Sequence, residues 1–323
     1  MSSRRMALIP ISFLTIIFLL SFHESRSEDI IIATWNVKDA LSVQNVKARK
    51  NDFKKFAQEV SPDVLLIQEV TSEEIVIEIR DAMGIKDYYL ACSDFVQSDG
   101  ANRNAFEVAI VSRYPFGQIV EYDPTPDNKE SEEDPDEVTL EPLKKLGIKE
   151  SQTSRGFLWA SIPELKLTVV VVHLKSSLGA VGFSDSKNAE KREFVVAGVA
   201  ASVLEDFELF PDYTCVVGGD FNVGHSDKAK NGKNLKIDCY EDCGNTDLYD
   251  DTHALLKEGL VGGVRMRNLV SGITGSTYPS FPGSPIDNIY VAGPAKDKFQ
   301  PAKVSSKNYG SDHLTVWTVL KLP

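Results

Sequence analysis

TCVVGGDFNV, residues 214–223, is an apolar strand-forming run that ends in two glycines and then delivers Asp220, Phe221 and Asn222. Asp and Asn also shape turns by bonding their own backbone, so the tip alone is ambiguous. Four further runs end in the same kind of chemistry. IIIATWNV, residues 30–37, brings Asn36; DVLLIQEV, residues 63–70, brings Glu69; LTVVVVHLKS, residues 167–176, brings His173. The C-terminal run SDHLTVWTVL, from Ser311, brings Asp312 and His313. Polar groups at the edges of apolar strands cost a few kcal/mol if they are buried without partners. Five such placements are hard to explain as turns, and a strand tip with a carboxylate and a carboxamide looks like a site for an oxygen-coordinated metal and phosphate.

The chain has 323 residues and is 42% hydrophobic, enough for one large α/β domain with a substantial core. No internal repeat is visible, and no second hydrophobic unit stands apart. The formal charge of -12 argues against a protein that holds nucleic acid on a broad basic surface. A catalytic cleft that handles phosphates through a cation and one or two arginines stays compatible with it.

At the N-terminus, Arg4 and Arg5 precede an apolar run from Leu8 to Phe22, and Ser25 and Ser27 offer a small-x-small cleavage site before Glu28. Residues 1–27 are therefore expected to be a signal peptide and residues 28–323 the domain. The run is shorter than a spanning helix needs, so no membrane span is expected after cleavage. Cleavage removes Arg4, Arg5, Arg26 and Glu24, a net +2, which takes the formal charge from -12 to -14. Of the four cysteines, Cys239 and Cys243 lie in the polar stretch CYEDC, where an oxidising compartment allows a small disulfide. Cys92 and Cys215 lie in apolar runs and read as packed thiols.

Along the chain, helices are expected at about Val46 to Val60, Ser72 to Met83, Asn188 to Phe207 and Thr252 to Lys257. Strands are expected at Ile30 to Val37, Val64 to Glu69, Tyr88 to Cys92, Glu107 to Ser112, Gly156 to Ile162, Leu167 to His173, Thr214 to Gly218, Ile286 to Val291 and Leu314 to Leu320. Residues 122–152 are rich in acidic residues and proline and read as an exposed insertion. Strands arrive both as hairpins and with helices between them, which predicts mixed sheets dominated by antiparallel pairs.

Taken in order, TWNV, LLIQEV, AIVSRYP from Ala109, VVVHLKS, GGDFNV, PIDNIYV with Asp287, and SDH resemble the endonuclease/exonuclease/phosphatase superfamily typified by deoxyribonuclease I. The resemblance spans nearly the whole chain beyond residue 27. It implies a four-layer α/β sandwich, two packed mixed β-sheets flanked by helices, with a divalent-cation-dependent phosphodiesterase site where strand ends of both sheets meet. It assigns the metal, Mg²⁺ or Mn²⁺ with Ca²⁺ as an alternative, to Glu69 with help from Asn36 and Asp312. Asp220 would orient or deprotonate the attacking water, and Asn222 would hydrogen-bond the phosphate. His313 would be paired with Asp287, and His173 would be a second histidine whose carboxylate partner is Glu107. Arg155 in SRGFLWA would reach the scissile phosphate, which Thr277 and Tyr278 would also line. His225 and His253 match no such motif and read as loop and helix residues.

The function implied is an exported nuclease, secreted or periplasmic, acting as a monomer on DNA first and RNA second, with nucleic acid as a transient substrate. A sphingomyelinase-like lipid phosphodiesterase is the main alternative. Inositol phosphatases of the superfamily usually carry a different run where this chain has SPIDNIYV, and a non-catalytic binding protein should have lost some of these acid and base residues.

Overall fold

A computed structural model of the protein describes residues 29–95, 107–122, 155–176, 186–224, 250–280 and 283–322. The first half runs β1 (Ile30–Ala40), α1 (Val43–Ala48), α2 (Lys50–Val60), β2 (Val64–Val70), α3 (Glu73–Met83), β3 (Tyr89–Cys92), β4 (Glu107–Ser112) and β5 (Ile119–Tyr122). It continues through β6 (Phe157–Ile162), β7 (Leu167–His173), α4 (Ser186–Leu209), β8 (Thr214–Asp220), α5 (Thr252–Ala254), β9 (Arg267–Asn268), β10 (Asp287–Ala292), β11 (Lys303–Val304) and β12 (Val316–Leu320). Two six-stranded sheets result, ordered β11-β12-β1-β2-β4-β3 and β5-β6-β7-β8-β10-β9.

Each sheet contains one parallel pair, β1 with β2 and β7 with β8, and the other pairs are antiparallel. Parallel neighbours need a crossover, and here helices supply it: α1 and α2 in the first sheet, α4 in the second. The two parallel pairs end beside each other. Everything assigned to the site comes from their C-terminal ends or from strands next to them.

The alternation of side chains sorts the layers. Ile30 and Ile32 of β1, Val64 and Leu66 of β2, Val169 and Val171 of β7, Val216 of β8 and Ile289 of β10 share the core between the sheets. On the outer face of the first sheet, Ala33, Trp35, Leu65 and Ile67 pack on Phe53 and Phe56 of α2 and on Ile75, Val76 and Ile79 of α3. Trp35 stacks within 4.6 Å of Phe56 and 5.6 Å of Phe53. On the outer face of the second sheet, Val170, Val172, Cys215 and Val217 pack on Val195, Val196 and Val199 of α4. The order is therefore helices, sheet, sheet, helices, as the motif order implied. Burying side chains of this size contributes about 1.5–3 kcal/mol each.

Several elements differ from the sequence expectation. The helix expected over 46–60 is two helices broken at Arg49, whose guanidinium is drawn off to the carbonyls of Val37 (2.5 Å) and Lys38 (3.0 Å) at the end of β1. Ser72 holds the N-cap position of α3, but its side chain makes no capping hydrogen bond. The helix expected over 252–257 becomes α5 followed by a wide turn over Leu255–Gly259. Strands β5, β9 and β11 lie in stretches assigned no strand. Most of the acidic segment 122–152, residues 1–27 and the pair Cys239 and Cys243 lie outside the described residues. Cys215 is a buried free thiol and Cys92 a half-buried one. Among the described residues no helix is long and apolar enough to cross a membrane.

Candidate active site

The inner face of the sandwich turns polar at one end. On β1 the stripe Ile30, Ile32, Thr34 continues to Asn36; on β7 Leu167, Val169, Val171 continues to His173; on β8 Val216 and Gly218 continue to Asp220. On β10, Val291 and Ile289 run back to Asp287. Strand parity alone therefore aims four of the candidate side chains into one place.

Glu69 is the exception, because parity would send it out toward the helices. The register of β2 against β4 shifts between Gln68 and Val70, and Glu69 adopts φ 64°, a left-handed conformation that costs a non-glycine residue about 1 kcal/mol or more. That turn brings the carboxylate into the site, where Oε1 accepts from Asn36 Nδ2 (2.9 Å) and Oε2 from the Asp39 amide (3.0 Å). Asn36 Nδ2 also donates to Asp220 Oδ2 (3.1 Å), while its Oδ1 accepts from the Lys38 amide (3.0 Å). One carboxamide thus ties the first sheet's Glu69 to the second sheet's Asp220.

Two glycines let β8 come this close. A Cβ on Gly218 would lie 2.6 Å from Leu66 Cδ1 across the sandwich, and one on Gly219, whose φ is +154°, would lie 1.9 Å from the Val172 carbonyl. The tip beyond is held at each residue. Asp220 Oδ1 accepts from the Asn222 amide (2.8 Å), the Phe221 amide donates to Ile286 O (2.9 Å), and Asn222 Nδ2 donates to Leu174 O (2.9 Å). Arg155 also donates to Leu174 O, so both expected phosphate contacts hang from one carbonyl.

Opposite Asp220, His313 Nδ1 lies 2.9 Å from Asp287 Oδ2 and its Nε2 lies 3.8 Å from Asp220 Oδ2. Ser311 fixes this loop by donating to Asn36 O (2.7 Å) and accepting from the His313 amide (3.1 Å). Burial opposes the charged ring of His313, but the Asp287 and Asp220 carboxylates and the hydrogen bond to Asp287 outweigh it and carry the pKa up to about 10. Asp220 is itself pushed up, first by burial and also by Asp287, against the pull of His313 and its hydrogen bonds.

His173 behaves differently. Burial first, then Arg155 and His313, drives its imidazole well below the usual range, so the ring is neutral. Its Nε2 stands 3.8 Å from Glu69 Oε1 and 3.7 Å from Asp220 Oδ2, beyond hydrogen-bond reach and without an ion pair. Arg155 is almost wholly buried; desolvation lowers its pKa to about 10, with Asp220 and Glu69 opposing that shift, so it stays a cation at neutral pH.

Three expectations need correction. Glu107 is not the partner of His173: it lies at the start of β4, where Oε2 accepts from Ser93 Oγ (2.6 Å) and the Phe95 amide (3.0 Å). Thr277 does not line the phosphate site, because it is fully buried and its hydroxyl accepts from the amides of Ile286 and Asp287 (3.1 Å each), which sets Asp287 in place. Asp312 is not turned into the carboxylate cluster but pairs with Lys38 Nζ (2.9 Å). Tyr278 does reach the site, with its ring 4.9 Å from that of His313. The sequence reading missed Lys38, which directly follows the TWNV motif, and Ser311, which opens the quoted SDH.

Asp220 and Asp287 bring together oxygen donors of the kind a hard divalent cation takes, and Glu69 joins Asp220 through Asn36. Ligand atoms of Asp220, Asp287 and His313 lie within 4.8 Å of one another. His313 Nδ1 is engaged by Asp287 Oδ2. Glu69 offers the most open carboxylate of the set, with its side chain 23% exposed against 2% for Asp220. The donor set fits a divalent cation.

Comparison with known proteins gives the family and the fold. Residues 33–313 match the model of the Endonuclease/Exonuclease/phosphatase family. No curated protein sequence matches the chain. Among solved structures, an AP endonuclease from Archaeoglobus fulgidus is 17% identical, with a TM-score of 0.57 over 91% of this chain and 100% of that one. A 3' phosphatase, NExo, from Neisseria, bound to a product DNA hairpin, is 17% identical, with a TM-score of 0.58 over 91% and 100%. Truncated TDP2 from Caenorhabditis elegans is 14% identical, with a TM-score of 0.54 over 91% and 98%. At these identities the likeness is one of fold.

Proposed function

Because the chain belongs to the endonuclease/exonuclease/phosphatase family, we propose that it is an exported, divalent-metal-dependent phosphodiesterase whose substrate is DNA. The observation that carries the reading is the bridge from Glu69 through Asn36 to Asp220, set against the His313–Asp287 pair. In this reading Glu69 is the cation-binding carboxylate, Asp220 the buried base and His313 the charged acid. The AP endonuclease and the NExo structure with its DNA hairpin support the choice of DNA, and the N-terminal signal pattern supports export.

In this reading Glu69, its carboxylate oriented by Asn36 and the Asp39 amide, would hold Mg²⁺ or Mn²⁺. The bound cation supplies positive charge that neutralises the phosphate and favours attack on it. Asp220 accepts the proton of the attacking water at Oδ2. Its upward-shifted pKa makes it a stronger base than an ordinary carboxylate. As the new P–O bond forms and the ester P–O bond breaks, His313 gives its Nε2 proton to the leaving oxygen, while Asp287 stabilises the ring and fixes its orientation. Arg155 and Asn222, both held at Leu174 O, contact the non-bridging oxygens in this reading. Neutral His173 offers a hydrogen bond without adding charge.

The acidic composition supports turnover over tight binding, since few phosphates can be neutralised by the chain. The test is purified protein with plasmid DNA, RNA, sphingomyelin and a generic phosphodiester, each with Mg²⁺, Mn²⁺, Ca²⁺ or a chelator. Metal-dependent DNA cleavage is expected. Cleavage of lipid alone would overturn the nuclease assignment, and inactivity on every substrate would overturn the enzyme.

A further inference from the structure

We infer that His253, on α5 and outside every motif quoted above, is a positioning residue that locks the far side of the Asp220–Asn222 tip. The inference rests on the phosphodiesterase reading for its effect on rate. The geometry itself does not depend on that reading.

His253 Nε2 lies 2.8 Å from Val223 O, one residue beyond Asn222. A carbonyl can only accept, so Nε2 carries a proton. In the neutral ring Nδ1 is then the acceptor, and Tyr290 Oη stands 2.5 Å from it on β10. The imidazole also stacks on Phe221, with ring centroids 5.3 Å apart and planes 20° apart, and Phe221 is wholly buried between the two functional residues. His253 therefore touches both the ring and the carbonyl that flank Asn222.

That clamp matters because Asn222 is a non-glycine residue at φ 55°. A left-handed conformation of this kind persists only where its surroundings over-determine it. Asp220 Oδ1 and Leu174 O hold Asn222 from the site side. His253 holds the outgoing chain, through a bond to Val223 O. Tyr290 extends the link to β10, the strand that begins with Asp287. The same histidine thus couples the tip that carries the base to the strand that carries the partner of His313.

The test compares His253→Gln, whose amide can still donate to Val223 O, with His253→Phe, which keeps the stack and loses the donor. We expect His253→Phe to lower kcat by about 10- to 100-fold with KM nearly unchanged, since a small misplacement of catalytic groups is costly. His253→Gln should restore most of that loss, and Mn²⁺ affinity should stay at the wild-type value in both, because Glu69 lies on the other sheet. Thermal midpoints and the Asn222 side-chain amide resonances are recorded alongside. The resonances should shift in His253→Phe and return in His253→Gln. Equal rates and unshifted Asn222 resonances in the two variants would overturn the inference. If the wild type cleaves nothing, the phosphodiesterase reading fails, and the Asn222 resonances still decide whether His253 fixes the tip.

Discussion

The imidazole of His313 is clasped between two carboxylates: Asp287 Oδ2 is 2.9 Å from its Nδ1, and Asp220 Oδ2 is 3.8 Å from its Nε2. Asp287 is fully buried, and its other oxygen has no hydrogen-bond partner among the described residues. The charge of that carboxylate is therefore directed at the histidine. Since the folded pKa is raised, the protonated, active ring persists at neutral pH and is lost as pH rises through about 10. Asp287→Asn removes the opposing charge, so the alkaline limb of kcat should move to lower pH by about one unit or more. His313→Ala should cut turnover by roughly 100-fold or more. A pH–rate profile on a generic phosphodiester checks both, and an unmoved alkaline limb in Asp287→Asn would remove His313 from the role of acid.

Glu69→Gln keeps the shape of the side chain and a partner for the Asp39 amide while removing the charge. Mn²⁺ affinity, measured by calorimetry, should fall by at least about 10-fold, and the rise in thermal midpoint that Mn²⁺ gives the wild type should shrink accordingly. Chelator should silence the wild type and added Mn²⁺ should restore it. Unchanged Mn²⁺ affinity in the variant would move the cation elsewhere.

Gly219→Ala places a methyl 1.9 Å from Val172 O in a backbone conformation with φ +154°. The strand must shift, and chemical denaturation should register a loss of about 3 kcal/mol or more. Gly84→Ala is the matched control: φ is +81°, but nothing lies within 4 Å of the new methyl, so the loss should stay near 1 kcal/mol.

Asp206 on α4 is buried against the sheet and accepts from Trp159 Nε1 (2.9 Å). Burial raises its pKa from 3.8 to about 6, despite that hydrogen bond. Between those values the folded state binds more protons than the unfolded, so stability falls as pH rises and the full cost is present above about 6. Asp206→Asn cannot ionise and retains an acceptor for Trp159. At pH 7 it should be more stable than the wild type by on the order of 2 kcal/mol, with the difference closing below pH 4. Denaturant titrations at pH 4, 6 and 7 give the comparison.

Much of this site was legible because strand parity is simple. Asn36, His173, Asp220 and Asp287 each end an inward-facing stripe, and the quoted motifs placed all four together. Glu69 stands in a quoted motif, but its inward turn depends on a register shift in β2 that no two-residue period contains. Glu107 failed as a partner for His173 because residues apart in sequence were paired without knowing that Ser93 and the Phe95 amide compete for the carboxylate. Thr277 is expected beside the phosphate, whereas its buried hydroxyl accepts from the amides of Ile286 and Asp287. Strands β9 and β11, with two residues each, are too short for any periodicity to show. The break at Arg49 arises from a tertiary demand on its guanidinium, which helix propensity does not encode.

The second sheet is one uninterrupted stretch of sequence, β5 to β10, while the first takes β1 to β4 from early in the chain and β11 and β12 from late in it. During synthesis Asn36 and Glu69 leave the ribosome long before Asp287 and His313. β1 must wait for β12, its antiparallel neighbour, with Ile30 set opposite Leu320. A nascent chain that has not yet reached residue 313 therefore lacks the acid of the proposed reaction and stays chemically silent, however much of the second sheet has folded.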